Sequence, residues 1–305
     1  MNFQFDSRVG RWLGFIPAAI IFPIMFWTLS DNLSLLFQET IEFRFWLLSV
    51  SAILLVGYFV STGIGWWFFI CFFGGRLSLL QAVRISALSM LGKYIPGKIW
   101  TVAGKIYMAN YEGVSNQITY VASLYEFIVV NISGIIVFFI FDFFSSAKIL
   151  KPYFIFIIAL FASILIVFPN AITWFLNHTL RIVKQPLVTI SLKRSQLSFV
   201  LLYYMITWLL CGYSYSLFVW GFFPDLAYAQ LTSSLVLSYI VGFVAIFAPG
   251  GVGIREGTMA SLLIMYGVTS DVAIFVSLCS RVWSTAGELI LILPLYFIRR
   301  DIFKV

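Results

Sequence analysis

Charge is what this chain has least of. Its 305 residues include only 12 Asp or Glu and 19 Lys or Arg, so charged side chains make up 10% of the total, against about 25% in a soluble domain. A water-facing surface cannot be assembled from so few. Histidine is nearly absent, and His178 alone cannot build a zinc site. Cys71, Cys211 and Cys279 each lie inside an apolar run, where a thiol behaves as a small buried hydrophobe, so neither a disulfide nor a metal centre is expected. There is no phosphate loop ending in Gly-Lys-Ser/Thr, no His-Cys-Asp constellation and no aspartate pair spaced for a metal. Gly251-Val252-Gly253 falls short of a dinucleotide fingerprint. These absences argue against catalysis, so the expectations are no enzyme activity, no cofactor and no nucleic-acid partner. Polar stretches are also too short for an appended soluble domain of about 50 residues or more, and a single integral membrane domain over 1–305 is expected.

What remains is apolar: 62% of residues are hydrophobic and the mean hydropathy is +1.01. The 33 Phe, 15 Tyr and 10 Trp suit lipid contact and interfacial belts rather than a cofactor box. Crossing about 30 Å of hydrocarbon takes roughly 20 apolar residues in a helix that satisfies its own backbone groups. Six runs meet that need: Trp12 to Leu29, Phe45 to Phe73, Ile118 to Phe141, Tyr153 to Leu176, Phe199 to Phe223 and Val272 to Phe297. Arg8 and Arg11 precede the first run, which lacks a small-residue cleavage signature and is expected to stay as a spanning helix. The sequence therefore predicts an all-α polytopic membrane protein.

Two further apolar stretches are broken near their centres, Leu79 to Asn110 by Pro96-Gly97 and Leu226 to Tyr266 by Pro249-Gly250-Gly251 with Gly253 just beyond. The limb Lys98 to Asn110 has 13 residues and as a helix reaches only about 20 Å, too short to span. Proline removes a donor and glycine frees the backbone, so each break suits the tip of a re-entrant helix-break-helix hairpin. Leu226 to Ala248 is long enough to cross, which leaves full penetration open there. A weak internal repeat runs span, hairpin, span over 45–141 and again over 199–297, and aligning Pro96 with Pro249 brings Tyr111-Glu112-Gly113-Val114 within one residue of Met265-Tyr266-Gly267-Val268. The extra span at 153–176 makes the two copies inverted, as in many transporters. With the N-terminus inside, cytoplasmic segments hold ten Lys or Arg and outer ones three, so both termini are expected in the cytoplasm.

The remaining cations, Arg84, Lys93, Lys98, Lys105, Arg255 and Arg281, fall in the hairpins or the last span, facing three carboxylates, Glu126, Glu256 and Glu288. A cation within the bilayer costs at least about 2.5 kcal/mol, so it persists where it meets water or a partner. An excess of three cations points to an anionic ligand, and a phosphate-bearing lipid head group is the obvious one. Lys93, Lys98 and Lys105 reaching back to the interface to meet bulk anionic lipid is the competing account. The adjacent Arg255 and Glu256 diverge by about 100° on a helix; Glu256 is expected to pair with Arg281, and Arg255 with Glu126 or a ligand. A purely structural charge network is the other account of this pair. Thr119, Ser123, Glu126 and Ser133 share one face of their span, and Ser277, Arg281, Ser284 and Glu288 one face of the last.

The stretches Pro249-Gly250-Gly251-Val252-Gly253-Ile254-Arg255-Glu256-Gly257 and Gly92-Lys93-Tyr94-Ile95-Pro96-Gly97-Lys98 resemble the flippase-like membrane region of lysylphosphatidylglycerol synthases, a family that includes stand-alone members. The resemblance implies re-entrant helices and a flippase role in lipid transport between leaflets of a bacterial or archaeal cytoplasmic membrane. Full-length synthases add an aminoacyl transferase domain that this sequence lacks, so lysyl transfer is not implied. Two substrates stay open, an anionic phospholipid and a polyprenyl-phosphate-linked sugar. A lipid transporter is the leading reading, with a membrane partner or scaffold of a cell-envelope glycosyltransferase next and an enzyme acting on a lipid phosphate last. The sequence does not specify an oligomeric state.

Overall fold

A helix starts where a side chain can take up its first unpaired N–H groups, and such caps set the boundaries here. The structure, a computed structural model, describes residues 44–95, 99–145, 149, 173–174, 177–178, 192–245 and 248–297. Their α-helices are α1 (Phe45–Phe72), α2 (Leu79–Ser89), α3 (Ile99–Tyr111), α4 (Asn116–Phe144), α5 (Arg194–Trp220), α6 (Tyr228–Val244), α7 (Ile254–Met265) and α8 (Ser270–Phe297). Short 3-10 turns occupy Met90–Tyr94 after α2 and Pro249–Gly251 before α7. The described residues contain no strand. Ser115 accepts from the Ile118 amide at 3.3 Å, which starts α4 two residues ahead of the apolar run. The Gln196 side chain accepts from the Lys193 amide at 2.9 Å and starts α5 at Arg194, five residues before Phe199.

Among the described residues four helices, α1, α4, α5 and α8, are long and apolar enough to cross a membrane, and the chain is a multi-pass membrane protein. The expected spans Trp12 to Leu29 and Tyr153 to Leu176 lie outside the described residues, apart from Thr173 and Trp174. So do Pro96, Gly97, Lys98 and both termini.

Lipid is as apolar as leucine, so helices in a membrane adhere through close packing and hydrogen bonds. Ser51 of α1 and Ser214 of α5 show how: each hydroxyl donates to the other residue's carbonyl at 2.7 Å. The Trp283 indole of α8 then donates to the Ser51 hydroxyl at 2.8 Å, tying three spans at one buried point. Ser61 of α1 meets Tyr203 and Thr207 of α5 at 2.8 Å each.

The helix order runs long, short, short, long twice, α1 to α4 and α5 to α8. The short helices α3 and α7 also end alike. Gly113 after α3 has φ 87° and Gly267 after α7 has φ 91°. In each case the next amide reaches back five residues, Val114 to the Ala109 carbonyl at 2.9 Å and Val268 to the Leu263 carbonyl at 3.0 Å, the bonding of a Schellman cap. The Glu-Gly-Val and Tyr-Gly-Val steps of the sequence alignment thus correspond to the same turn.

Candidate functional site

The turn at Met90–Tyr94 carries Lys93 and Tyr94 to α8, where the ammonium group pairs with Glu288 and the phenol donates to the same carboxylate at 3.0 Å. At the other break, Gly250 has φ 58°, a left-handed backbone that glycine tolerates and other L-residues resist. The two breaks touch: a Cβ added to Gly250 would lie 3.3 Å from Tyr94 Cδ1 and 2.8 Å from Arg281 Nη2. Gly250→Ala is therefore expected to destabilise the fold by about 1–2 kcal/mol from the left-handed conformation alone, and further by displacing Arg281. Thermal unfolding of the purified protein in detergent checks this, and an unchanged midpoint would contradict the close contact.

Beside this contact lies a cavity of about 240 Å³. Lys93, Lys105, Glu126, Arg255 and Glu288 line it within an otherwise largely apolar wall. α4 contributes Ser123, Glu126, Phe127, Val130 and Asn131, spaced i, i+3, i+4, i+7 and i+8 as one helical face requires. The expected polar stripe on this span contained Ser123 and Glu126 but omitted Asn131, which lies eight residues after Ser123 at the far edge of the cavity face. Tyr94 and Tyr239 were also missed, since a tyrosine among so many aromatics gives no signal of its own.

Each carboxylate has a cation. Lys105 Nζ lies 2.5 Å from Glu126 Oε2 and 4.9 Å from the centre of the Trp66 ring, and the Tyr204 hydroxyl donates to Glu126 Oε1 at 3.4 Å. Glu256 faces Arg281 at 3.6 Å, as the charge pattern suggested. Its other oxygen accepts from the Gly253 amide at 2.7 Å, so it also caps the N-terminus of α7, where a negative charge is favoured. Arg281 donates to the Gly250 carbonyl at 2.8 Å and holds the second break in place. Arg281 and Glu256 stand behind the cavity wall, not in it. Arg84 is buried and donates to the Leu295 carbonyl of α8 at 3.1 Å, also away from the cavity.

The expected pairing of Arg255 with Glu126 does not form, because Lys105 occupies that carboxylate. Arg255 instead sits over the Tyr239 ring, with Cζ 3.6 Å from the ring centre, and Nη1 donates to the Ser284 hydroxyl at 3.4 Å. Its Nε and Nη2 have no hydrogen-bond partner among the described residues, and no carboxylate there lies within 4 Å of it. Of the six cations, Lys93, Lys105 and Arg281 form ion pairs, Arg84 lies away from the cavity, and at the cavity itself two ion pairs accompany Arg255. Lys98 lies outside the described residues, one position before α3.

These residues and breaks fall inside a recognised family. Its profile, described as the lysylphosphatidylglycerol synthase TM region, matches residues 14–292. No curated protein and no solved structure matches the chain. The match spans nearly the whole sequence, and the chain belongs to the family of the lysylphosphatidylglycerol synthase TM region.

Proposed function

We propose that this membrane protein moves an anionic phospholipid or a polyprenyl-phosphate-linked glycan lipid between leaflets without catalysing a covalent reaction. The observation that carries the reading is Arg255, 5% exposed and without a carboxylate partner among the described residues. A buried charge left unpaired is costly, and an anion removes that cost. Nε and Nη2 form one edge of the guanidinium, and that edge meets two oxygens of a phosphate at once. Lys93, Lys98 and Lys105 supplement this attraction, while Glu126 and Glu288 neutralise the lysines between substrates. Arg84, Arg281 and Glu256 keep the surrounding helices and breaks in register.

The cavity size supports a head group alone. Sites that enclose a drug-sized ligand run about 300–1,000 Å³, and this one is about 240 Å³, so the chains of a lipid stay outside it. Phe127 and Phe243, at the cavity and 48% and 40% exposed, pack edge to face across α4 and α6 with ring centres 6.5 Å apart, and in this reading they part to let those chains reach the bilayer. With 13 residues in α3 and 12 in α7, these helices extend only about 20 and 18 Å, which fits return limbs of re-entrant hairpins. The two four-helix sets then form inverted repeats, the first hairpin entering from the cytoplasm and the second from outside. A gradient or the lipid's own supply drives net movement.

In this arrangement both termini and the 177–198 segment are cytoplasmic. A single cysteine at Ser191→Cys in a Cys-free background is expected to resist an impermeant maleimide applied to intact cells. Labelling there would overturn the orientation and the inverted relation together. The function itself is tested by reconstituting the protein in proteoliposomes and following a labelled anionic lipid between leaflets, with mass spectrometry of co-purified lipid naming the substrate. Unchanged leaflet exchange, with loss of a partner glycosyltransferase's activity on deletion, would support a scaffold instead.

A further inference from the structure

Resting on that reading, the cavity wall also bears on which head group is accepted. Asn131 lies on the cavity face of α4, and its side-chain nitrogen donates to the Phe127 carbonyl at 2.7 Å. A carbonyl oxygen only accepts, so the nitrogen must face it, and the amide orientation is fixed by that bond. Oδ1 is then the atom left over. It is shielded from water and has no hydrogen-bond partner among the described residues.

The lysines and carboxylates that line the cavity are otherwise engaged, whereas Arg255 Nε and Nη2 and the Tyr239 hydroxyl are, like Oδ1, without a hydrogen-bond partner among the described residues. Glu288 accepts from Lys93 and Tyr94, and Glu126 from Lys105 and Tyr204. The Trp208 indole, which packs beside this stretch of α4, donates to the Val130 carbonyl at 3.0 Å. A buried acceptor without a donor is rare and costly in a folded protein. Asn131 is the sixteenth of the 29 residues of α4, far from the helix ends where bulk water would supply one.

We infer that Asn131 determines head-group specificity, its Oδ1 accepting a hydrogen bond from a hydroxyl or ammonium group of the lipid whose phosphate Arg255 holds. The class of ligand is an anionic lipid that carries a hydrogen-bond donor beyond its phosphate. A glycerol hydroxyl of a phospholipid and a sugar hydroxyl of a polyprenyl-phosphate glycan share that chemistry, and a methyl-capped phosphodiester lacks it. Because Oδ1 is covered, the incoming head group displaces a wall side chain to reach it.

The experiment compares four lipids on the full-length protein in detergent by native mass spectrometry: phosphatidylglycerol, phosphatidylmethanol, a glucosyl polyprenyl phosphate and its methyl polyprenyl phosphate counterpart. Wild type is expected to retain the hydroxyl-bearing member of at least one pair about tenfold better than its capped partner, the scale of one hydrogen bond, and the pair that discriminates identifies the source. Asn131→Leu, similar in size and without an acceptor, is expected to bring that ratio to about one. Equal retention within both pairs by wild type overturns the inference and leaves the carrier reading standing, and so does a preference that survives in Asn131→Leu. Retention of none of the four by wild type defeats the carrier reading itself, and the inference with it. If Asn131→Leu does not fold, Asn131→Ala, which removes the acceptor without adding bulk, takes its place in the same comparison, and a preference that survives in it overturns the inference.

Discussion

Arg255→Ala is expected to slow leaflet-to-leaflet movement of an anionic lipid in proteoliposomes by about a hundredfold. The magnitude follows from two charge-assisted hydrogen bonds of about 1.5 kcal/mol each, at 1.4 kcal/mol per factor of ten. Arg255→Lys keeps the charge but replaces a planar two-donor edge with a single ammonium point, so it should recover only part of the rate. The guanidinium also packs on Tyr239 at 3.6 Å, so truncation removes a stacking contact as well. Gel filtration and thermal unfolding separate loss of fold from loss of binding. Glu256→Gln gives the contrast. Its amide oxygen can still accept from the Gly253 amide, keeping the cap on α7, while the attraction to Arg281 is lost. A loss well below that of Arg255→Ala is therefore expected. Wild-type rates in both Arg255→Ala and Glu256→Gln would mean that the charged break is structural, and the scaffold reading would gain.

How much of this was legible in the sequence depended on the strength of each signal. The spans at α1, α4, α5 and α8 followed from hydropathy alone, because lipid demands unbroken apolar runs of nearly fixed length. Their ends did not, because Ser115, Lys193 and Gln196 are polar residues outside the apolar window and set the helix starts through single hydrogen bonds. The break at Pro249–Gly251 was legible from Pro and Gly, and the two short helices from the distance between breaks and spans, whereas the first break was placed at Pro96-Gly97, outside the described residues, and the end of α2 in a 3-10 turn at Met90–Tyr94 was not foreseen. Partner choice was half legible. Arg281 with Glu256 could be read from the charges that had to be satisfied, whereas Lys105 with Glu126 depended on how α3 packs against α4, which no one-dimensional pattern records. That packing is what left Arg255 without a carboxylate. Asn131 was hidden for a different reason: a lone amide in a span reads as helix-helix glue until its free oxygen is located.

The pair between Lys93 and Glu288 should behave as a coupled unit, and the two single substitutions should differ in size. Side-chain exposure is 27% for Lys93 and 5% for Glu288, so removing the lysine strands the more deeply buried charge. Lys93→Met is expected to destabilise by about 3 kcal/mol, near the lower end for breaking a buried pair. Tyr94 still donates to the carboxylate and limits the loss. Glu288→Gln leaves an ammonium group that can turn toward the cavity, and about 1 kcal/mol is expected. The double variant Lys93→Met/Glu288→Gln should be more stable than the sum of the two losses predicts, by about 1–2 kcal/mol, the coupling typical of residues in contact. Unfolding midpoints of all four proteins in the same detergent measure it, and strict additivity would show that the two side chains act independently. The consequence for transport follows from α8, which carries Glu288 to the first break and Arg281 to the second, seven residues or two helical turns apart. On the proposed function, a phosphate at the cavity would compete with Glu288 for Lys93, so substrate arrival would weaken one of the two ties that hold the breaks together. Lys93→Met/Glu288→Gln removes that tie permanently. If the tie limits opening, this double variant exchanges lipid faster than either single variant, and if it only braces the fold, exchange tracks stability across the four proteins.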